Sequence, residues 1–176
     1  FVNKFIFDVD GTLTPSRGII DDEFCIFFKR FVKENDVYLV TGSDYSKTLE
    51  QCGEDLIMSV KRVYNCSGND VWEKGKNIYT NEWRLPQEAE DWLTEELEIS
   101  KFPLRTGLHL EHRPGMCNFS VVGRNATLGE RKLYVEHDEK TLERNHIAMN
   151  FKCNFSQIEA VVGGETGIDI YPLGSD

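Results

Sequence analysis

The sequence predicts an α/β fold, in which a parallel Rossmannoid core carries an inserted α+β domain built from antiparallel sheet and helices. Two short apolar runs, each followed by a polar turn and a helical pattern, favour the parallel core. Further along the chain, apolar and polar residues alternate as in half-exposed antiparallel strands. We therefore expect a first core segment over residues 1–81, an inserted cap domain over 82–170, and the start of a returning core segment over 171–176.

The predicted core begins with a buried strand over residues 4–9, an apolar run that ends at an acidic turn. A helix follows, because phenylalanines recur at positions i, i+3, i+4 and i+7 within residues 24–31. Residues 37–40 form a second buried strand, and a helix through Cys52 comes after it. This order predicts a right-handed parallel unit. The remaining core elements are a third strand over 60–64 and a hairpin with strands at 71–72 and 78–79.

The predicted cap domain begins with a helix that Pro86 opens, since apolar residues then recur on one helical face. A second helix starts at the capping box Thr127-Leu128-Gly129-Glu130. Two pairs of antiparallel strands are expected, the second around the turn Gly163-Gly164. Their predicted ranges are 108–113, 118–123, 160–162 and 168–171.

Charge and composition exclude several classes of partner. A net charge of −10 and an isoelectric point near 4.9 argue against nucleic acid, because no basic face can neutralise its phosphates. No run of about 18 apolar residues occurs, so we expect no membrane span. The five cysteines are odd in number and form no C-x-x-C pair, which predicts free thiols in a reducing cytoplasm.

The segment Asp8-Val9-Asp10-Gly11-Thr12-Leu13-Thr14 follows the first predicted strand. A turn at the strand end lets both carboxylates face the crevice beyond it, where one can attack phosphorus and the other can exchange a proton. An anionic nucleophile meeting a phosphate dianion needs a hard divalent cation, and Mg²⁺ suits oxygen ligands. The alternative is an acidic turn that binds nothing.

A second polar turn, Thr41-Gly42-Ser43-Asp44, follows the second predicted strand. A small hydroxyl residue beside a glycine at a helix start can donate hydroxyl and backbone N–H groups to a phosphate. The alternative is that Ser43 is an ordinary helix N-cap.

These two turns resemble the first and second motifs of the haloacid dehalogenase (HAD) superfamily of phosphotransferases. The resemblance implies a HAD-like core in which Asp8 is the nucleophile, Asp10 the general acid and base, and Ser43 a phosphate ligand. It also implies that Mg²⁺ binds the carboxylate of Asp8 and the main-chain carbonyl of Asp10.

The segment from Glu111 to Arg124, with the pair Glu130-Arg131 after it, resembles the cap signature E-x-R-x-G-M-x-N-x-S-x-x-G-R of eukaryotic-type phosphomannomutases. Residues 163–176 resemble the next segment of that family. The resemblance implies hexose 6-phosphate and hexose 1-phosphate as substrates, mannose favoured, with a hexose 1,6-bisphosphate activator and a homodimer through the cap. The residues that it assigns to phosphate or sugar binding are Arg17, Arg113, Arg124, Arg131 and Asp169.

This sequence departs from the family pattern in three respects, of which the first is that the family's asparagine-glycine dipeptide after the third strand is reversed, as Gly68-Asn69. Gly167 stands where the family has a serine, so one hydroxyl ligand is missing and water could replace it. A lysine and an acidic metal-binding loop, which the family has after the position of Asp176, are absent. We therefore expect the sequence to be a piece of a longer protein, inactive by itself, whose core sheet exposes an apolar edge and face.

Three functions remain open at this point. A phosphosugar mutase needs a second phosphate-binding group, which the three cap arginines would supply. A HAD phosphosugar phosphatase would use Asp8 and Asp10 equally well without needing those arginines, which would then be solvated surface charges. The third function is an inactive fragment that only binds a phosphosugar or a partner protein.

Overall fold

The computed structural model describes residues 3–175 of the chain. The chain divides into two compact units, Phe1–Glu82 and Trp83–Asp176. No helix within residues 3–175 is long and apolar enough to cross a membrane. All five cysteines are free, as the sequence predicts.

The first unit contains a five-stranded sheet in which the strands lie side by side in the order in which they occur along the chain. The first three strands are parallel and the last two antiparallel, which confirms the predicted parallel unit and the hairpin that follows it. The short helix Glu54–Ser59 was not predicted. The elements are β1 (Lys4–Asp8), α1 (Asp22–Glu34), β2 (Asp36–Val40), α2 (Tyr45–Cys52), α3 (Glu54–Ser59), β3 (Arg62–Asn65), β4 (Asp70–Glu73) and β5 (Lys76–Thr80).

Helix α1 begins after the N-cap residue Asp21, whose side chain accepts a hydrogen bond from the N–H of Phe24 at 2.9 Å. Of its phenylalanines, Phe28 is buried in the core of the unit. Strand β1 lies at the edge of the sheet as far as residues 3–175 show, and Ile6 on it is 71% exposed.

The second unit contains a four-stranded antiparallel sheet with strand order β6-β7-β9-β8, as the alternating pattern predicts. Three helices accompany it, and α5 begins at a complete capping box between Thr127 and Glu130. The elements are α4 (Gln87–Ile99), β6 (Leu110–Arg113), β7 (Met116–Phe119), α5 (Leu128–Thr141), α6 (Glu143–Asn154), β8 (Ile158–Gly163) and β9 (Gly167–Pro172).

Two predictions for the second unit were wrong in detail. The strand predicted over 118–123 ends at Phe119, because the chain turns at Gly123, whose φ is 89°. Helix α6 was missed, since neither glycine nor proline marks the break before it. Leu142 makes that break with a left-handed φ of 53°.

The end of the chain was predicted to return to the core over residues 171–176. In the structure, residues 171 and 172 continue β9 of the second unit. Asp176 lies outside the described residues, so the assignment of this segment to the core stays a prediction.

Candidate active site

Asp8 and Asp10 lie at the carboxyl end of β1, beside the end of β2, because Asp8 pairs with Val40 in the parallel register. The chain reverses directly after the strand, since the N–H groups of Leu13 and Thr14 both donate to the carbonyl of Val9 at 3.0 Å. The carboxylate of Asp8 is exposed, and no hydrogen bond or ion pair to it occurs within residues 3–175. It is therefore free to approach a ligand.

The carboxylate of Asp10 accepts two hydrogen bonds on the same oxygen. Its Oδ1 accepts hydrogen bonds from the main-chain N–H of Arg17 at 2.6 Å and from Nε2 of Gln51 at 2.8 Å. The Arg17 hydrogen bond, followed by that of Gln51 and by a smaller contribution from the nearby Ser43 hydroxyl, lowers the pKa of Asp10 below its usual value, because these groups stabilise the ionised form.

Arg17 and Ser43 are both brought to Asp10 by loops. Arg17 is exposed and adopts a left-handed φ of 58°, which directs its main-chain N–H at the carboxylate. Ser43 is half-buried between β2 and α2. The helix cap is Asp44, whose side chain accepts from the N–H of Lys47 at 2.8 Å, so the alternative that Ser43 caps the helix was wrong.

The oxygens at the end of β1 are compatible with Mg²⁺. No group of three or more histidine, cysteine or acidic side chains that could hold a metal ion occurs in the described part of the chain. The unpaired carboxylate of Asp8 and the carbonyl of Asp10 are two hard donors. Mg²⁺ commonly binds one or two carboxylates and completes its shell with water and substrate phosphate, so this donor set fits a site that the substrate completes.

In the second unit, one carboxylate holds two of the predicted phosphate-binding arginines. Oε2 of Glu111 accepts a hydrogen bond from Arg113 at 3.0 Å and contacts Nε of Arg124. All three side chains are about one-third exposed, at 33%, 35% and 28%. Their guanidinium groups are thus ordered but accessible, which suits bidentate binding of a phosphate.

Asp169 joins the same cluster through Asn118. Nδ2 of Asn118 donates to Oδ1 of Asp169 at 2.7 Å, while its Oδ1 accepts from Arg124 at 3.3 Å. Arg131 lies beside them and donates to the main-chain carbonyls of Ala126 and Arg124 at 3.2 and 3.4 Å. The structure therefore groups the four residues predicted for this unit.

Gly167, the departure from the family pattern, lies against this cluster. A Cβ at this position would come within 2.6 Å of Nδ2 of Asn118. The carboxamide of Asn118 therefore occupies the space into which a side chain at position 167 would project.

Three residues that contact the site were assigned no role from the sequence: Gln51, Glu111 and Asn118. Glu111 and Asn118 stand in the cap motif, and Asn118 could have been found from its pairing opposite Asp169 in a correct strand register. The only signal for Gln51 is a polar side chain on the buried face of α2.

Comparison with known proteins identifies close relatives. The sequence model of the family described as eukaryotic phosphomannomutase matches residues 24–176. Phosphomannomutase 1 of Mus musculus is 32% identical over 181 residues, a match that covers 97% of this chain and 69% of the mouse protein. Phosphomannomutase of Saccharomyces cerevisiae is 30% identical over 185 residues, covering 97% of this chain and 70% of the yeast protein.

Two solved structures have the same fold as this chain. A haloacid dehalogenase-like hydrolase from Bacteroides thetaiotaomicron superposes with a TM-score of 0.60 at 12% identity, over all of this chain and 73% of that one. The C-terminal domain of C. albicans trehalose-6-phosphate phosphatase gives 0.59 at 15% identity, over 97% and 57% of the two chains. The predicted HAD-like α/β fold is confirmed, and the chain belongs to the eukaryotic phosphomannomutase family.

Proposed function

We propose that the protein is a phosphomannomutase that interconverts hexose 6-phosphate and hexose 1-phosphate, with mannose phosphates as the favoured substrates. The observation that carries the proposal is a pair of phosphate-binding groups, one in each unit. The first surrounds Asp8 and Asp10, and the second is the arginine cluster held by Glu111. Membership of the phosphomannomutase family supports the same conclusion.

The first group suits phosphoryl transfer through an aspartyl phosphate. A carboxylate oxygen of Asp8 attacks phosphorus, and the bond from phosphorus to the sugar oxygen breaks with its electron pair going to that oxygen. Asp10 gives its proton to the leaving oxygen and later takes a proton from the attacking hydroxyl. Ser43 and the side chain of Arg17 bind the remaining phosphate oxygens.

Mg²⁺ fits this site through the carboxylate of Asp8 and the carbonyl of Asp10. When bound, it would offset the repulsion between the carboxylate and the phosphate dianion. Water and the phosphate would supply further oxygen ligands.

The second group suits a phosphate that is not reacting. The planar guanidinium groups of Arg113, Arg124 and Arg131 can each bind two phosphate oxygens, and several together can hold a dianion. Asp169 can accept hydrogen bonds from sugar hydroxyls. A mutase needs such a second group because its intermediate, hexose 1,6-bisphosphate, carries a phosphate at each end. The same bisphosphate would phosphorylate Asp8 and so activate the enzyme.

We also propose that the protein works in the cytoplasm, as a homodimer formed through its second unit. The free state of all five cysteines supports a reducing compartment. The proposal of a dimer is based on the resemblance to the family.

A coupled assay of the full-length protein tests the function. The protein receives mannose 1-phosphate, Mg²⁺ and a catalytic amount of hexose 1,6-bisphosphate, and mannose 6-phosphate and free phosphate are both measured. We expect mannose 6-phosphate as the main product, and none from Asp8→Asn. Free phosphate alone would establish the phosphatase instead, and full activity in Asp8→Asn would contradict the whole mechanism.

A further inference from the structure

Gln51 lies on α2 and is completely buried. Its amide nitrogen Nε2 points at three acceptors: Oδ1 of Asp10 at 2.8 Å, the carbonyl of Gly18 at 3.2 Å and Oγ1 of Thr14 at 3.3 Å. Its amide oxygen Oε1 is buried and has no hydrogen-bond partner in the described part of the chain. The nitrogen of this amide is therefore surrounded by hydrogen-bond acceptors, whereas its oxygen accepts no hydrogen bond within the described residues.

The orientation of the amide follows from these acceptors. If the group were turned by 180°, Oε1 would face the Asp10 carboxylate and two further acceptor oxygens, and two good hydrogen bonds would be lost. Leaving a buried carbonyl unpaired destabilises the folded state. Among the described residues, Oε1 of Gln51 stays unpaired in the observed orientation of the amide. The contact of Nε2 with Asp10 is therefore a strong determinant of that orientation.

We infer that Gln51 is a positioning residue that fixes the Asp10 carboxylate so that Oδ2 alone exchanges a proton with the sugar oxygen. The inference rests on the proposed role of Asp10 as general acid and base. It adds an assignment of the two carboxylate oxygens, one structural and one reactive.

Two donors on Oδ1 carry this assignment. The N–H of Arg17 and Nε2 of Gln51 both end on Oδ1, at 2.6 and 2.8 Å. A proton on Oδ1 would have to point at one of these N–H groups and would break its hydrogen bond. Whenever Asp10 is protonated, the proton therefore lies on Oδ2, and rotation of the carboxylate is blocked while both donors are in place.

Gln51 also fixes the loop that supplies the other donor. Its main-chain carbonyl accepts from the N–H of Ile20 at 2.8 Å, and its side chain binds the carbonyl of Gly18. These two contacts hold the chain directly after Arg17, whose left-handed φ of 58° directs its N–H at Asp10. Removal of the Gln51 amide thus weakens both donors to Oδ1.

The inference is tested by leaving-group dependence in the full-length protein. The rate of phosphorylation of Asp8 is measured with a hexose 1,6-bisphosphate and with p-nitrophenyl phosphate, for the wild type and for Gln51→Met. A sugar oxygen must take a proton from Asp10 as its bond to phosphorus breaks, whereas p-nitrophenolate leaves as an anion. We expect the rate with the sugar phosphate to fall by a factor of about 10–100, within the range of general acid catalysis, and that with the aryl phosphate by less than about threefold.

Two further variants separate positioning from packing. Thr48→Val is the control, since Thr48 is equally buried on the same helix and its hydroxyl donates to Asn65 at 2.8 Å, away from Asp10. It should reduce both rates by the same factor. Gln51→Glu, which keeps the size of the side chain but replaces the donor with an acceptor, should reproduce the pattern of Gln51→Met and covers the case in which that variant does not fold.

Equal losses with both phosphates in the Gln51 variants, as in Thr48→Val, would overturn the inference and leave Gln51 a packing residue. Failure of the proposed function has a different signature. In that case the wild type would release free phosphate from sugar phosphates without forming the isomer. The ratio of the two rates would still report on Gln51.

Discussion

Nδ2 of Asn118 donates a hydrogen bond to Oδ1 of Asp169 at 2.7 Å, between paired positions of strands β7 and β9. The other carboxylate oxygen, Oδ2, lies over Gly163, where a Cβ would come within 2.3 Å of it. Oδ1 of Asn118 in turn accepts from Arg124 at 3.3 Å. The predicted sugar-binding carboxylate and a predicted phosphate-binding arginine are thus positioned by the same carboxamide.

Gly163→Ala should displace the carboxylate of Asp169 and weaken substrate binding. One hydrogen bond to a charged group contributes about 1.5–3 kcal/mol, so we expect KM for mannose 1-phosphate to rise by a factor of about 10, with kcat changed by less than about twofold. Steady-state kinetics of the full-length protein measures both constants. An unchanged KM would contradict a role for Asp169 in binding.

Arg124→Gln should weaken binding of the phosphate that is not reacting. We expect KM to rise by a factor of at least about 10, because a charge-assisted contact with phosphate is lost. Lys132→Gln is the matched control, since it removes the same charge from an exposed position on α5. If both variants changed KM equally, the effect would be one of net charge, and the arginine cluster would have no specific role.

Gly123→Ala should destabilise the second unit. Gly123 has a φ of 89°, and a Cβ there would come within 1.9 Å of the main-chain oxygen of Thr106, which cannot move as a side chain could. We expect the free energy of unfolding to fall by at least about 2 kcal/mol. Gly129→Ala, near the start of α5 with no atom close to the new Cβ, should instead be neutral or slightly stabilising. Urea denaturation followed by circular dichroism compares the two variants, and equal stabilities would refute the close approach.

Cys52 and Cys117 should resist alkylation in the native protein. Burial raises the pKa of each thiol to about 12, so almost none of either is thiolate at pH 8, and both side chains are shielded from reagent. Cys153 is exposed and should react. Iodoacetamide labelling followed by peptide mass spectrometry should show Cys153 modified first, and Cys52 and Cys117 only after denaturation. Early labelling of Cys117 would contradict its position in the core.

The features that the sequence predicts well are local ones. Asp8 and Asp10 lie two residues apart after an apolar run, so strand geometry alone places both at the same end of β1. The capping box of α5 was predicted for the same reason, because Thr127 and Glu130 interact within a single helical turn.

The features that the sequence does not predict depend on contacts between residues that are distant along the chain. Gln51 binds Asp10 across 41 positions, and Asn118 binds Asp169 across 51. No local sequence pattern predicts a contact between residues so far apart along the chain. The left-handed break at Leu142 was missed because a leucine rarely adopts that conformation. The roles of the cap arginines came from resemblance to the family.

The identity of the phosphorylated residue tests the mechanism most directly. The full-length protein is mixed with hexose 1,6-bisphosphate and Mg²⁺, quenched in acid and reduced with borohydride, which converts an aspartyl phosphate to homoserine. Peptide mass spectrometry then locates the modified residue. We predict modification at Asp8 and none at Asp10. Modification at another residue, or an active protein that carries none, would contradict the assignment of Asp8 as the nucleophile.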